Sequence, residues 1–525
     1  MTRRAGAGAG AGGGPGAGAV AGAVVAGALA GLGVHDVLQR RRTILRNFPV
    51  IGHLRYLLES VGPELRQYIV TDNDAERPFT RDQRRWVYAA ATGDELSFGF
   101  GSDNDFDRAN GYLIIDHAAF PEAVPPFCGP AHRVPVAKVL GAAHGRRGAF
   151  RPASIVNVSA MSFGALSAAA VRAMDMGAAR AGCLHNTGEG GLSAHHRCGA
   201  DLIFQIGTGY FGCRDDEGHF SLERLCATVA SAPVRAIEIK LSQGAKPGLG
   251  GMLPAAKVTP EIAAIRQVSP GRDCVSPSRH HAFGDVASLC AFVETVAAAT
   301  GLPVGIKSAV GDMGFWHDLV AHMAATGTGP DFVTIDGGEG GTGAAPLAFS
   351  DHVSLPFFVG FPRVYAVFAE AGLHEDVVFI GSGRLGLPER AMLAIALGCD
   401  MVNVAREAML SVGCIQAQRC HTGRCPAGVA TQSPWLQRGL DPEVKADWLA
   451  RYVETLRGEI EKLALACGQL HPALVGLERF ELLADPHRAV PVAGAVGYRP
   501  GWGLPSAADA AAIRALMAAD APTGG

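Results

Sequence analysis

Eight short apolar, β-branched runs recur through the middle of the chain, each separated from the next by helical or loop residues. The runs are Ile155–Val158, Cys183–Asn186, Leu202–Gln205, Ile237–Lys240, Val304–Lys307, Phe332–Ile335, Val377–Ile380 and Met401–Val404. Runs that are apolar throughout, rather than alternating, mark parallel strands buried on both faces. Eight such units over about 250 residues is the count for a closed (β/α)8 barrel of the TIM type. A doubly wound open sheet is the competing arrangement. The expected α/β architecture has four parts: a Gly/Ala-rich head at 1–33, a helical and irregular N-terminal extension at 34–150, the barrel at 151–435, and a C-terminal helical segment and tail at 436–525.

The head has almost no polar side chains after Arg4. Ala19–Leu32 is apolar enough for a weak membrane segment with Arg40, Arg41 and Arg42 as its basic flank. It is shorter than the ~20 residues a span needs, and Gly and Ala contribute little transfer energy. A flexible head is the expectation and membrane association the alternative. From Val34 to about Tyr88 the pattern is helical, with turns at Asn47-Phe48-Pro49 and Gly62-Pro63. Apolar residues recur at three-to-four spacing in His53–Ser60 and Glu64–Val70. Thr92–Pro152 is rich in Gly, Pro and Asp and reads as an irregular wrap around the barrel.

A net charge of −3 over 525 residues, 48% of them hydrophobic, suits a globular protein with a large core. It gives no reason to invoke nucleic acid, or an anionic membrane, as an electrostatic partner. No secretory cleavage pattern precedes the 12 cysteines, so a reducing cytoplasm is the expected compartment. Clustered cysteines then read as metal ligands rather than disulfides.

Active sites of such barrels lie at the carboxyl ends of the strands. Those ends are loaded here: Ser159–Gly164, Asn186–Gly191, Lys240 with Gln243, Lys307, Asp336–Gly343, Gly381–Arg384 and Ala405-Arg406. The connection from Ser242 to Leu302 is long enough to be a functional insertion. Gly381-Ser-Gly-Arg-Leu-Gly386 fits G-x-G-x-x-G, yet it comes late and no acidic residue closes a second strand. A flavin phosphate loop therefore reads better than a dinucleotide site or plain turn glycines. Lys240 and Lys307 each end a strand, where a lysine needs an anionic partner. Beside an isoalloxazine it would stabilise the anionic reduced flavin; on a solvated rim it would only snorkel. Glu189 either meets substrate and moves protons or caps a helix. His280 and His281 are expected to position substrate or flavin, or to do nothing chemical. Cys414, Cys420 and Cys425 place three thiols within a dozen residues, the last followed by Pro426. On spacing alone an iron–sulfur cluster, zinc with His421, and free thiols all stay open.

Together these stretches resemble the FMN-binding synthase domain of the glutamate synthase family. The matching segments are SAMSFGALS (159–167), AGCLHNTGEGG (181–191), IEIKLSQGAKPGLGGMLPAAKVT (237–259), SPSRHH (276–281), DGGEGGTGAAP (336–346) and GCIQAQRCHTGRCPAGVATQ (413–432). They occur in family order over roughly 150–435. The resemblance implies FMN held by Ala160, Met161, Ser162, Lys307, Gly338, Gly341, Gly381, Gly383 and Arg384. It implies that Lys240, Gln243, Lys246 and Glu189 meet the substrate carboxylates or relay protons. It favours a 3Fe–4S cluster on Cys414, Cys420 and Cys425, with zinc as the alternative.

The implied reaction is reductive amination of 2-oxoglutarate, through 2-iminoglutarate, to L-glutamate. A related flavoenzyme making an N-substituted glutamate from an amine is one alternative. A non-catalytic flavin- or zinc-binding subunit of a larger amidotransferase complex is another. The sequence offers no room for a glutaminase domain and no dinucleotide domain. Ammonia (or an amine) is expected to arrive free or from a separate glutaminase subunit, and electrons from a ferredoxin or a reductase subunit, in a homo-oligomer. The family's PPPHH-like stretch reads Pro277-Ser-Arg-His-His281 here. The family's GHDGGTGA is altered at Asp336–Ala344, and Gly423-Arg424 lies between the cysteines. These departures bear on substrate and cluster potential more than on the flavin.

Overall fold

A computed structural model describes residues 17–62, 76–97, 99, 101, 102, 104, 111–122 and 133–520. The first sixteen residues and the expected helix at Glu64–Val70 lie outside them.

Eight strands close into one barrel: β1 Val156–Val158, β2 His185–Asn186, β3 Leu202–Ile206, β4 Val234–Lys240, β5 Val304–Ser308, β6 Phe332–Asp336, β7 Val378–Ser382 and β8 Met401–Val404. All neighbours are parallel and follow chain order, and β8 returns to β1 with Val402 opposite Val156. Each strand falls on one of the eight apolar runs. Every residue of β1, β3 and β5 to β8 is buried, which is why these runs do not alternate.

Helices Ala168–Ala181, Leu222–Ala230, Val286–Thr300, Gly314–Thr326, Phe357–Glu370 and Pro388–Ala396 follow β1 and β3 to β7. The helix that completes β8 comes late, at Pro442–Ala466. Asp441 caps it by accepting from the Glu443 and Val444 N–H groups, and Pro442 opens its first turn. It lies against Ala168–Ala181 at a close approach that Gly177 permits. A Cβ there would stand 2.8 Å from both the Ala446 carbonyl oxygen and Leu449 Cβ. The barrel thus runs past the expected limit at 435, and the cysteine loop is an insertion between β8 and its helix.

Two expectations are corrected. Tyr112–Ile115 from the irregular stretch pairs antiparallel with Phe480–Asp485, which pairs in turn with Arg488–Pro491, so the C-terminal segment is not purely helical. The partners are hundreds of residues apart, beyond what local periodicity can reveal. In the head, Ala17–Leu38 forms one 22-residue helix rather than a flexible tract. Alanine, the strongest helix former, outweighs the interspersed glycines.

The segment after Arg133 closes the amino end of the barrel. Lys138 Nζ donates to Asp400 (3.1 Å) and to the His374 and Val377 carbonyls. Arg146 reaches both Asp331 and Glu294. The opposite, carboxyl end stays open.

Candidate active site

Inside the barrel a carboxylate is buried beneath the open end. Glu238 on β4 accepts from Asn186 (2.8 Å), Gln205 (2.6 Å) and Thr334 (2.7 Å), on β2, β3 and β6. Three donors replace the water it has lost, as a buried charge requires. Above this layer lies an open cavity lined by the strand ends.

Two residues beyond Glu238, Lys240 sits directly across from Lys307 in the β4–β5 register. Two adjacent ammonium groups need counter-charges, and each has one. Lys240 Nζ lies 3.0 Å from Glu189 and donates to Gln243 Oε1 at 2.6 Å, while Lys307 lies 3.5 Å from Asp336. Burial opposes ionisation of Glu189, but Lys240, then Arg266 and Lys246, outweigh it and hold the carboxyl below its usual range. Lys246 is pushed down by burial, with Glu189 opposing and Lys240 adding to the shift. The insertion after β4 closes over this pair. A Cβ at Gly251 would stand 2.6 Å from Glu189 Oε1, so only glycine lets the backbone pass so near the carboxylate.

On the far side of the cavity, after β7, Gly383 has φ 148°, in the region that favours glycine, and Arg384 has φ 53°. Among the described residues no acceptor meets the N–H of either. Arg384 Nη2 donates to Gln83 (3.0 Å) on helix Arg81–Thr92, and its buried Nε has no partner among the described residues. Burial, with Arg390 and Arg406 nearby, lowers its pKa to about 10. Arg384 and Arg406 both lie over the Phe79 ring, at 5.2 and 5.1 Å. Open N–H groups and crowded guanidinium groups suit an anion of phosphate type. Asn403 on β8 adds a buried Oδ1 without a donor, also facing the cavity. These unpaired groups fit the phosphate and the polar edge of a flavin mononucleotide.

Of the expected site residues, Ala160, Lys240, Gln243, Lys307, Gly341, Gly383 and Arg384 line this cavity. Glu189 joins them through Lys240, and Lys246 lies behind that pair. Met161 is buried, and Ser162 packs beneath Gly188, where a Cβ would stand 2.6 Å from its N–H. Gly338 faces the Ser354 carbonyl, and Gly381 faces Leu385, Phe357 and Cys399. These four shape the loops rather than the lining. His280 is a buried neutral base, its pKa held down to about 4 by burial. Its Nε2 meets the Lys240 carbonyl at 3.0 Å, so it positions the lysine strand end. Ser382 and Arg406, from the loaded strand ends, also line the cavity, as do Gln205 and Asn403, with Glu238 buried beneath; the last three were not among the expected site residues. Their signal was a polar residue within or just after an apolar run, as in Leu-Ile-Phe-Gln and Ile-Glu-Ile-Lys.

The cysteine loop borders the same face. Tyr88 donates to the Cys414 carbonyl (2.8 Å), and Gln416 brackets the Phe79 backbone from both sides. Buried Lys257 donates to the carbonyls of Cys420 (2.8 Å) and Ala165 (3.3 Å). Burial, reinforced by Cys425 and Cys420, pushes the Cys414 thiol up to about 12. Among the described residues, no three Cys, His, Asp or Glu side chains converge closely enough to hold a metal ion.

A closed parallel barrel with a polar, cation-lined cavity at its carboxyl end is the frame of a (β/α)8-barrel enzyme. Residues 142–469 match the conserved region in glutamate synthase. The chain belongs to the glutamate synthase family of oxidoreductases. It is 38% identical over 475 residues to the glutamate synthase large subunit-like protein YerD of Bacillus subtilis, covering 84% of this chain and 89% of that one. An archaeal glutamate synthase (NADPH) of Methanocaldococcus jannaschii is 37% identical over 317 residues, covering 60% of this chain and 59% of that one. A ferredoxin-dependent glutamate synthase of Cyanidium caldarium is 31% identical over 320 residues, 58% of this chain and 20% of that one. The match therefore spans less than two thirds of the archaeal and algal relatives.

Proposed function

We propose that the chain catalyses FMN-dependent reductive amination of 2-oxoglutarate to L-glutamate through 2-iminoglutarate. The observation that carries this reading is the meeting of four cationic side chains, Lys240, Lys307, Arg384 and Arg406, on one open cavity. Such a cavity has the charge to hold a flavin phosphate at one end and a dicarboxylic acid at the other. Arg384 and the open N–H groups of Gly383 and Arg384 would hold the phosphate. Ala160, Lys307, Gln205 and Asn403 would border the ring system.

When bound, FMN would supply the two-electron reducing chemistry at the imine carbon. The net change is keto acid plus ammonia plus two electrons and two protons, giving glutamate and water. Lys240 holds its proton at Nζ between Glu189 and Gln243. From there it can neutralise a substrate carboxylate or protonate the departing hydroxyl of the carbinolamine. Glu189, kept ionised, can hold an incoming ammonium ion by charge beside Lys240. Gly251 brings the insertion close over Glu189.

The Cys414, Cys420 and Cys425 thiols do not converge on one metal position in the structure; they are the proposed ligands of a 3Fe–4S cluster that would draw them together, a reading supported by their shared loop beside the mouth. Electrons are proposed to come from a ferredoxin or an NADPH-linked partner. Ammonia is proposed to come from solution or a separate glutaminase subunit, with the chain working as a homo-oligomer. The test is a single turnover under anaerobic conditions: photoreduced protein is mixed with 2-oxoglutarate and ammonium, with methylamine as competitor. Flavin reoxidation with stoichiometric glutamate supports the reading. Reoxidation giving only N-methylglutamate, or no amino acid from flavin-loaded protein, contradicts it.

A further inference from the structure

We propose that helix Ala17–Leu38 anchors the protein in a lipid bilayer, with Arg40, Arg41 and Arg42 in an anionic headgroup layer on the side of the barrel. The stretch Val20–Leu38 is 19 residues long, and only 6% of it is buried. The part of the helix before the root, Ala17 to Val34, reaches about 27 Å at ~1.5 Å per residue, close to the ~30 Å hydrocarbon core of a bilayer. Val24, Val25 and Val34 are 67%, 58% and 59% exposed, and no atom lies within 4 Å of where a Cβ would stand at Gly22, Gly27 or Gly31. The helix therefore projects from the protein with apolar residues all round, a surface that water does not favour.

No ionisable side chain interrupts it before His35. Asp36, its only acid, is buried at the root, where it accepts from the Val50 N–H (2.8 Å) and lies 2.8 Å from His53 Nε2. Three exposed arginines follow at once, the arrangement that sits on the cytosolic side of inserted helices. The next apolar surface lies beside that root. Ile51, Leu54, Leu57 and Leu58, at the start of and along helix Gly52–Ser60, are all more than half exposed. The root is also tied to an interfacial aromatic. Asn47 donates to the Pro426 (3.1 Å) and Leu436 (2.8 Å) carbonyls, and Trp435, 54% exposed, lies one residue away under the Arg438 guanidinium. Projecting helix, basic collar, apolar second helix and exposed tryptophan together fit a membrane interface. The same bonds fasten the root to the segment just after Cys425.

The test is membrane fractionation of the full chain in cells, with intact mass measured on the recovered protein. The expected result is full-length protein in the membrane pellet, resisting alkaline carbonate and released by detergent. Val25→Glu/Leu29→Glu, at exposed positions on the projecting helix, should move at least ten times more protein into the soluble fraction with the melting temperature unchanged. Wild-type protein in the soluble fraction would overturn the proposal. So would a mature chain lacking the helix, as after cleavage of an export signal. A pellet released by carbonate, or a soluble oligomer that the double substitution turns into a monomer, would overturn it too.

Discussion

The mouth of the barrel and the cysteine loop share one face, yet they differ in how far the polypeptide alone completes them. At the mouth, Glu238 and Lys307 find partners on other strands and Lys240 on the loops after β2 and β4, and the register of β4 and β5 fixes the spacing of the two lysines. In the loop the backbone is pinned through the carbonyls of Cys414 and Cys420, while burial holds the Cys414 and Cys420 thiols above their usual range. Rigid strands can position charges before any ligand arrives. On the proposed reading, the thiol loop would be finished only when metal displaces its protons. Damage to one region should therefore leave the other largely intact.

The largest expected effect is on metal. Cys420→Ser should lower bound iron from about three atoms per chain to near none, while flavin content stays the same; paired iron and flavin assays check this. Loss of both together would mean that the loop and mouth form one unit. Next, Lys240→Met should slow glutamate formation by about 10²- to 10⁴-fold with iron unchanged, as read from turnover with a chemical reductant. An effect under fivefold would remove Lys240 from the chemistry.

Glu238→Leu leaves Asn186, Gln205 and Thr334 without their acceptor. It should cost about 3–5 kcal/mol in urea unfolding, a loss a merely ornamental network would not show. Arg384→Ala should weaken FMN retention by roughly 10- to 100-fold, measured by flavin release on dilution. The last is the pH effect of His280, whose folded pKa falls from its ordinary 6.5 to about 4. The neutral form is favoured in the fold, so this stability is complete above pH 6.5 and fades as pH drops towards 4. It amounts to about 3 kcal/mol at most. His280→Gln should flatten that part of the urea-midpoint profile; an unchanged slope would assign the acid sensitivity elsewhere.

The same contrast explains what the sequence made legible. The eight strands were readable because burial on both faces writes itself as continuous apolar runs, and Lys240, Lys307 and Arg384 because they end or follow such runs. Helix Pro442–Ala466 was not assigned to the barrel because the cysteine loop separates it from β8. The Tyr112–Ile115 strand was missed because its partner lies at Phe480–Asp485. Gln205 and Glu238 looked like ordinary strand residues; only closure of the barrel turns them towards one another. Met161, Ser162 and Gly338, in loops at the strand ends, and Gly381, within β7, face protein rather than the cavity, a distinction that depends on tertiary packing.

The most direct test of the account is the visible spectrum of anaerobically purified protein, with released flavin and bound iron quantified on the same sample. The account predicts flavin bands from about one FMN per chain, above a broad shoulder from about three irons. A colourless protein that stays colourless after incubation with FMN would contradict it.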